Sequence, residues 1–223
     1  MLIKESFPGR RDGGYTRLFN NEDLGSLLSA VQATVIRSGN NLQSIIELHA
    51  QHLTGIDFEA FVSGKLHNGK YLFTSYLIKN KLKYHINCSH EPDFVFLVIC
   101  DKECYIIEIK DGDTFDTKKS AGEVKHMREF ADCFRSTFKE YNVFIRYCMF
   151  NQDSKNAIVD GLKRNITISE AMTGQELCDL LGISYSNILE QRKTDSPNNI
   201  EFFIDRLFEI PEVRQYIAKK LKL

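Results

Sequence analysis

Apolar residues change their period along the chain. Over residues 21–37, Leu24, Leu27, Leu28, Val31 and Val35 recur near helical spacing, which predicts an amphipathic helix. Gly39 is read as its end, because glycine accepts the left-handed conformation that closes many helices. A second helix is predicted over 41–53, with Leu42, Ile45, Ile46, His49 and Leu53 on one side. From Lys70 the pattern turns to strands. Residues 71–78, with a continuation over 83–87, are rich in Tyr, Phe, Ile and Leu. Residues 93–100 (DFVFLVIC) form a nearly unbroken apolar run, as expected of a strand buried on both faces. Asp101-Lys102 interrupts it, and 103–110 (ECYIIEIK) resumes, so the two read as an antiparallel hairpin. Ser120 and Glu123 have capping-box spacing and predict a helix start. Val124, Met127, Ala131, Phe134, Phe138 and Tyr141 then mark its buried stripe down to a strand over 142–150.

The order helix, three strands, helix, strand predicts a mixed α/β (α+β) fold. Residues 1–20 read as an arm, 21–150 as the core and 151–223 as a C-terminal extension of short helices. At 223 residues, with 43% hydrophobic and 26% charged, the chain has the composition of a soluble domain with a real core. A formal net charge of −1 weighs against a purely electrostatic nucleic-acid binder, though not against an enzyme with one basic surface. The six cysteines lack paired Cys-x-x-Cys spacing and the histidines complete no zinc pattern, so reduced, structural thiols are expected. The N-terminus lacks the apolar stretch of a signal peptide, and no run of about 18 apolar residues exists to span a membrane. A cytoplasmic protein is expected.

The candidate chemistry lies in Glu91-Pro92-Asp93 and Glu108-Ile109-Lys110. If the hairpin turn is centred on Asp101-Lys102, Asp93 faces Lys110. Glu108 leaves the same face of its strand as Lys110, two residues on. Direct neighbours across a strand pair sit about 5 Å apart and diagonal ones about 7–8 Å, so two carboxylates and an ammonium converge at the open end of the hairpin. Ile109 points into the core while its backbone carbonyl stays near the cluster. Two hard carboxylate oxygens and a carbonyl favour Mg²⁺, which suits phosphodiester hydrolysis. Lys110 could orient the attacking water, or take its proton if its own pKa is depressed. Glu-x-Lys alone is a weak motif, since most such pairs on strands are solvated. Preceded by Pro-Asp at this distance, on adjacent buried strands, it is considerably stronger.

Pro92-Asp93…Glu108-Ile109-Lys110 resembles the signature of the PD-(D/E)XK nuclease superfamily, which includes many type II restriction endonucleases. Motif and core cover roughly residues 41–150. The resemblance implies a restriction-endonuclease-like core (αβββαβ), a central mixed β-sheet flanked by helices. It also implies that Asp93 and Glu108, with the Ile109 carbonyl, hold the metal and that Lys110 is the catalytic lysine. Members often add an acid from the helix before the sheet; Glu47 is the candidate, with Gln43 one turn earlier.

Other segments fit the same reading or a blander one. Residues 111–119 place a glycine turn, hydroxyls and two lysines ahead of a helix, suited to phosphate contacts or to a solvated first turn. Lys118, Lys119, Lys125 and Arg128 could form one basic surface. Asp113 and Asp116 could touch a second metal, though turns use Asp freely and the turn reading is preferred. Residues 173–192 resemble a helix-turn-helix, with Leu177, Leu180, Leu181 and Ile188 packing, Gly182 turning, and Tyr185, Ser186, Asn187 and Gln191 facing the major groove. The competing reading is a pair of amphipathic helices completing the core. Arg10, Arg11 and Arg17, on glycine-rich chain, could embrace DNA or lie in an unstructured terminus. The expected function is a homodimeric type II restriction endonuclease acting on double-stranded DNA, with a cognate DNA methyltransferase encoded nearby. Two alternatives are a repair, mobile-element or antiphage nuclease of low specificity, and a DNA-binding regulator.

Overall fold

The computed structural model describes residues 1–6, 13–112 and 117–221, with side chains throughout except at Asn40 and 117–119. In chain order the elements are α1 (Gly14–Phe19), α2 (Glu22–His49), α3 (Phe58–Val62), β1 (Lys70–Phe73), α4 (Ser75–Leu77), α5 (Lys83–His85), β2 (Phe94–Val98), β3 (Glu103–Lys110), α6 (Thr117–Thr137), β4 (Asn142–Met149), α7 (Lys155–Gly161), β5 (Ala171–Thr173), α8 (Gly174–Leu181), α9 (Tyr185–Lys193), α10 (Ser196–Glu209) and α11 (Pro211–Leu221). They fall into two compact units, Leu42–Tyr185 and Met1–Asn41 with Ser186–Leu223. Among the described residues, no helix is long and apolar enough to cross a membrane.

The larger unit is built on one mixed five-stranded sheet in the order β1-β2-β3-β4-β5. β1, β2 and β3 are antiparallel, whereas β3–β4 and β4–β5 are parallel. All five residues of β2 are buried, which is why its sequence shows no polar alternation. The pleat sends Val95, Leu97, Cys104, Ile106, Ile145 and Tyr147 to one face, where they share a core with the Val124–Met127–Ala131–Phe134 stripe of α6. The same parity sends Glu108 and Lys110 out of β3 on the α6 side. The six cysteines are free thiols, and Cys104, Cys148 and Cys178 are buried.

Three local expectations are overturned. α2 runs unbroken through Gly39, and Asn21 caps its start by accepting the Leu24 N–H at 2.8 Å. An internal glycine costs about 1 kcal/mol against alanine, which is small beside the burial of Leu42, Ile45 and Ile46 in the turns that follow. The strand expected over 71–78 stops at Phe73, and the continuation over 83–87 is largely helical, with a π-helical turn Ile78–Leu82 joining α4 to α5. Ile78 and Leu82 are fully buried four residues apart with exposed Lys79, Asn80 and Lys81 between them, which is helical periodicity despite strand-like composition. Ser120 does not cap α6, which already runs from Thr117. Its hydroxyl is buried, donates to Leu162 O at 2.6 Å and accepts from Asn165 Nδ2 at 2.8 Å.

Within residues 173–192, α8 opens with a capping box between Thr173 and Glu176 and closes at Gly182, whose φ of +67° needs glycine's freedom. Leu177 and Leu181 are buried as expected. Tyr185 instead donates its hydroxyl to Phe150 O at 3.1 Å, which engages it at the exit of β4. In the smaller unit, Ile3 N–H donates to Asn199 Oδ1 at 2.8 Å, the Met1 ammonium pairs with Asp195, and the Ser6 and Thr34 hydroxyls bond at 2.7 Å. Residues 1–6 are thereby tied to α10 and α2.

Replacing Ser120 with alanine removes two hydrogen bonds while Leu162 O and Asn165 Nδ2 keep their bond to each other at 3.0 Å, at a cost of about 0.5–1.5 kcal/mol for each bond lost. The expected outcome is a lower urea midpoint with unchanged slope; an unchanged midpoint would mean that the Ser120 bonds do not fasten α6.

Candidate active site

The hairpin register places the acidic pair. Val98 pairs with Glu103 and Phe94 with Ile107, leaving Ile99–Lys102 as the loop, with Lys102 at φ 53°. The turn is therefore centred on Cys100-Asp101 rather than Asp101-Lys102. Continuing the register, Asp93 comes opposite Glu108, not Lys110. The slip is two residues, so every side chain keeps its face, where a slip of one would have reversed them all. The expected convergence survives a wrong register.

Asp93 Oδ2 accepts the Ile109 N–H at 2.7 Å, which fastens the carboxylate to the neighbouring strand. Lys110 Nζ donates to Glu108 Oε1 at 2.5 Å and stands 3.6 Å from Glu123 Oε1 on α6. From α2, Gln43 Nε2 donates to the Asp93 main-chain oxygen at 3.2 Å and reaches Glu47 Oε1 at 3.5 Å. Glu47 accepts the Ser75 backbone N–H and lies within the field of Asp93. Gln43 and Glu47 thus both stand beside the cluster.

Burial dominates the electrostatics. Glu108 is 8% exposed, and its pKa is pushed up to about 7, first by desolvation and then by the Asp93 charge, against the opposing pull of Lys110. Asp93 is also raised by burial, in spite of its bond from Ile109. Glu47 is raised for the same first reason. For Lys110, burial acts to lower the pKa, but the carboxylates of Glu108, Glu123 and Asp93 outweigh it and the net shift is upward. Without a bound ion, the carboxylates around Lys110 thus favour its ammonium form.

Among the described residues, the carboxyl groups of Glu108, Glu123 and Asp93 act on the Lys110 ammonium, and Glu47 lies within the field of Asp93. Among the described residues no three His, Cys, Asp or Glu side chains already close into a metal cage. A donor set of two carboxylates and the Ile109 carbonyl instead suits a hard ion that retains several waters, which is the habit of Mg²⁺. A cleft of about 250 Å³ opens beside the cluster, lined in part by His90, Glu91, Pro92, Glu108, Glu123 and His126. His90 and His126 stack there with ring centroids 3.7 Å apart, and His90 Nε2 lies 3.0 Å from Glu129. Lys83 pairs with Glu91 at 3.3 Å, holding the turn that leads into Asp93.

Sequence reasoning brings Asp93, Glu108, Ile109, Lys110 and Glu47 together and misses Glu123, whose spacing from Ser120 suggests a cap. The available signal is helical: Glu123 stands four residues before buried Met127 and next to buried Val124, hence at the border of the packed stripe. Lys125 and Arg128 do not reach this cleft. They line a separate depression, where Lys125 pairs with Glu129 at 3.6 Å and Arg128 bonds Asn165 O at 3.4 Å. Arg10, Arg11, Asp113, Asp116 and the side chains of Lys118 and Lys119 lie outside the described residues.

Because Glu108 titrates near 7 when folded against 4.5 ordinarily, the unfolded chain loses this proton first as pH rises. Ionisation of Glu108 therefore subtracts stability through that window, wholly above it and not at all below. Glu108→Gln is expected to raise the Tm of chelator-treated protein at about pH 8, by about 2–4 °C for each kcal/mol gained. The gain should fade toward about pH 4.5; a Tm difference independent of pH would contradict the burial-driven shift.

No protein-family model and no solved structure matches the chain. It is 40% identical over 218 residues to the type II restriction enzyme HhaII of Haemophilus parahaemolyticus, covering 95% of this chain and 96% of that protein. At that identity and coverage, with a mixed α/β sheet beneath an acidic cleft, the chain belongs to the type II restriction enzymes.

Proposed function

We propose that this chain is a sequence-specific endonuclease of the PD-(D/E)XK superfamily that cuts double-stranded DNA in an Mg²⁺-dependent reaction. Carrying the reading is the meeting of Asp93, Glu108 and Lys110 on the α6 side of adjacent strands, in the αβββαβ order of a restriction-endonuclease-like core. Asp93, Glu108 and the Ile109 carbonyl would hold the ion, and Glu47 would supply the additional acid from α2. Bound there, Mg²⁺ offsets charge growing on the phosphate and lowers the pKa of water.

The chain's own groups do the rest. Lys110 acts as an ammonium: it orients the attacking water by hydrogen bonding and faces the charge developing on the phosphoryl oxygens, rather than removing a proton. The Asp93–Ile109 bond keeps the acidic pair in register as substrate enters. Water's oxygen bonds to phosphorus as the bond to O3′ breaks; the attacking water gives up a proton to solvent and the departing O3′ takes one from solvent, leaving a 5′-phosphate and a 3′-hydroxyl. DNA contacts beyond the core come from the arm over 1–20, including Arg10 and Arg11, from Lys118, Lys119, Lys125 and Arg128, and from the extension over 151–223. Cutting both strands suits a homodimer, and a cytoplasmic enzyme of this kind requires a cognate DNA methyltransferase to protect host DNA.

Purified protein with Mg²⁺ should cut varied duplex DNA into discrete fragments, and EDTA should stop cutting while leaving binding measurable. Asp93→Ala and Lys110→Met are each expected to lower kcat by at least about 10²-fold, the scale of losing one preorganised transition-state contact. A smear in place of bands would indicate a nuclease of low specificity. Intact DNA, or an Asp93→Ala variant as active as the parent, would overturn the reading.

A further inference from the structure

We propose that Glu123 is the positioning residue that takes over the Lys110 ammonium when Glu108 turns to a divalent cation. This inference rests on the metal-dependent reading above and deepens it.

The geometry contains a competition. Lys110 Nζ sits 2.5 Å from Glu108 Oε1, on one of the two carboxylates proposed to hold the ion. An ammonium and a divalent cation on one carboxylate repel each other in a site of low dielectric, so the ammonium must move off or the ion binds weakly. Asp93 is already committed in part to the Ile109 N–H at 2.7 Å. Glu123 is different. Its Oε1 is 3.6 Å from the same Nζ, already in ion-pair contact, and closing to the about 2.8 Å of a charge-assisted bond is a small rotation of one lysine. Its side chain is 36% exposed against 11% for that of Glu108, so it meets the ammonium from the solvent side of the cleft.

The backbone beneath Glu123 is fixed well enough to serve as a stop. One turn earlier Ser120 bonds Leu162 O and Asn165, and Val124 and Met127 are buried in the sheet core. Handing the ammonium from Glu108 to Glu123 frees the metal-binding oxygen and parks Lys110 at the mouth of the cleft that both glutamates line. Glu123 thus acts through Lys110, without touching the reacting atoms.

A double-mutant cycle tests this without relying on cleavage. Parent, Glu123→Gln, Lys110→Met and the double variant are titrated with Mn²⁺ by calorimetry in the absence of DNA, at about pH 8. Glutamine keeps the shape and helix propensity of glutamate, and matching circular dichroism and Tm confirm that all four are folded. Glu123→Gln should weaken Mn²⁺ binding by about tenfold when Lys110 is present, and by less than about twofold in the Lys110→Met background. An equal loss in both backgrounds would overturn the relay, because Glu123 would then act on the ion directly. No loss in either would overturn it too. Failure of the parent itself to bind Mn²⁺ would bring down the metal-dependent reading and this inference with it.

Discussion

A carboxylate withdrawn from water must be paired or neutralised, and this sheet withdraws two at the mouth of one hairpin. Burial favours the protonated forms of both Glu108 and Asp93, and a neighbouring carboxylate adds to it in each case, Asp93 acting on Glu108 and Glu123 on Asp93. The two contacts that hold the pair are unequal. Asp93 is answered by a backbone N–H, which fixes its place but supplies no charge. Glu108 is answered by Lys110, which supplies charge but only one for the whole group. Among the described residues these contacts therefore set two buried carboxyl groups against one ammonium.

Rigidity around these groups comes from packing. β3 is the middle strand of five and is bonded along both edges, so the main chain carrying Glu108, Ile109 and Lys110 has little room to relax. α6 lies over the same face, pinned by the Ser120 hydroxyl to the chain after α7 and by its apolar stripe to β3 and β4. A further constraint lies at the exit of β4: a Cβ on Gly174 would come within 2.2 Å of Phe150 O, so α8 can begin there only with glycine. Helix, strand and crossover are thereby locked around the cleft, and small side-chain rotations within it become the movable parts.

The sequence alone determined what depends on neighbours in the chain. Unbroken apolar runs marked β2, β3 and β4, the 3.6-residue stripe marked α6, and the two-residue alternation of a strand placed Glu108 and Lys110 on one side. Pro92-Asp93 ahead of a buried strand sufficed to put an acid near them. These survive errors of register, since side-chain parity is a local property of extended backbone. Tertiary structure decided whatever turns on distant partners. The left-handed Lys102 moved the turn and set Asp93 against Glu108, and the packing of Ile78 and Leu82 made a helix of strand-like composition. Gln43, Glu47 and Glu123 reached the cluster from α2 and α6. Above all, the protonation of Glu108 and Lys110 follows from the charges and water that folding leaves around them, which no spacing along the chain encodes.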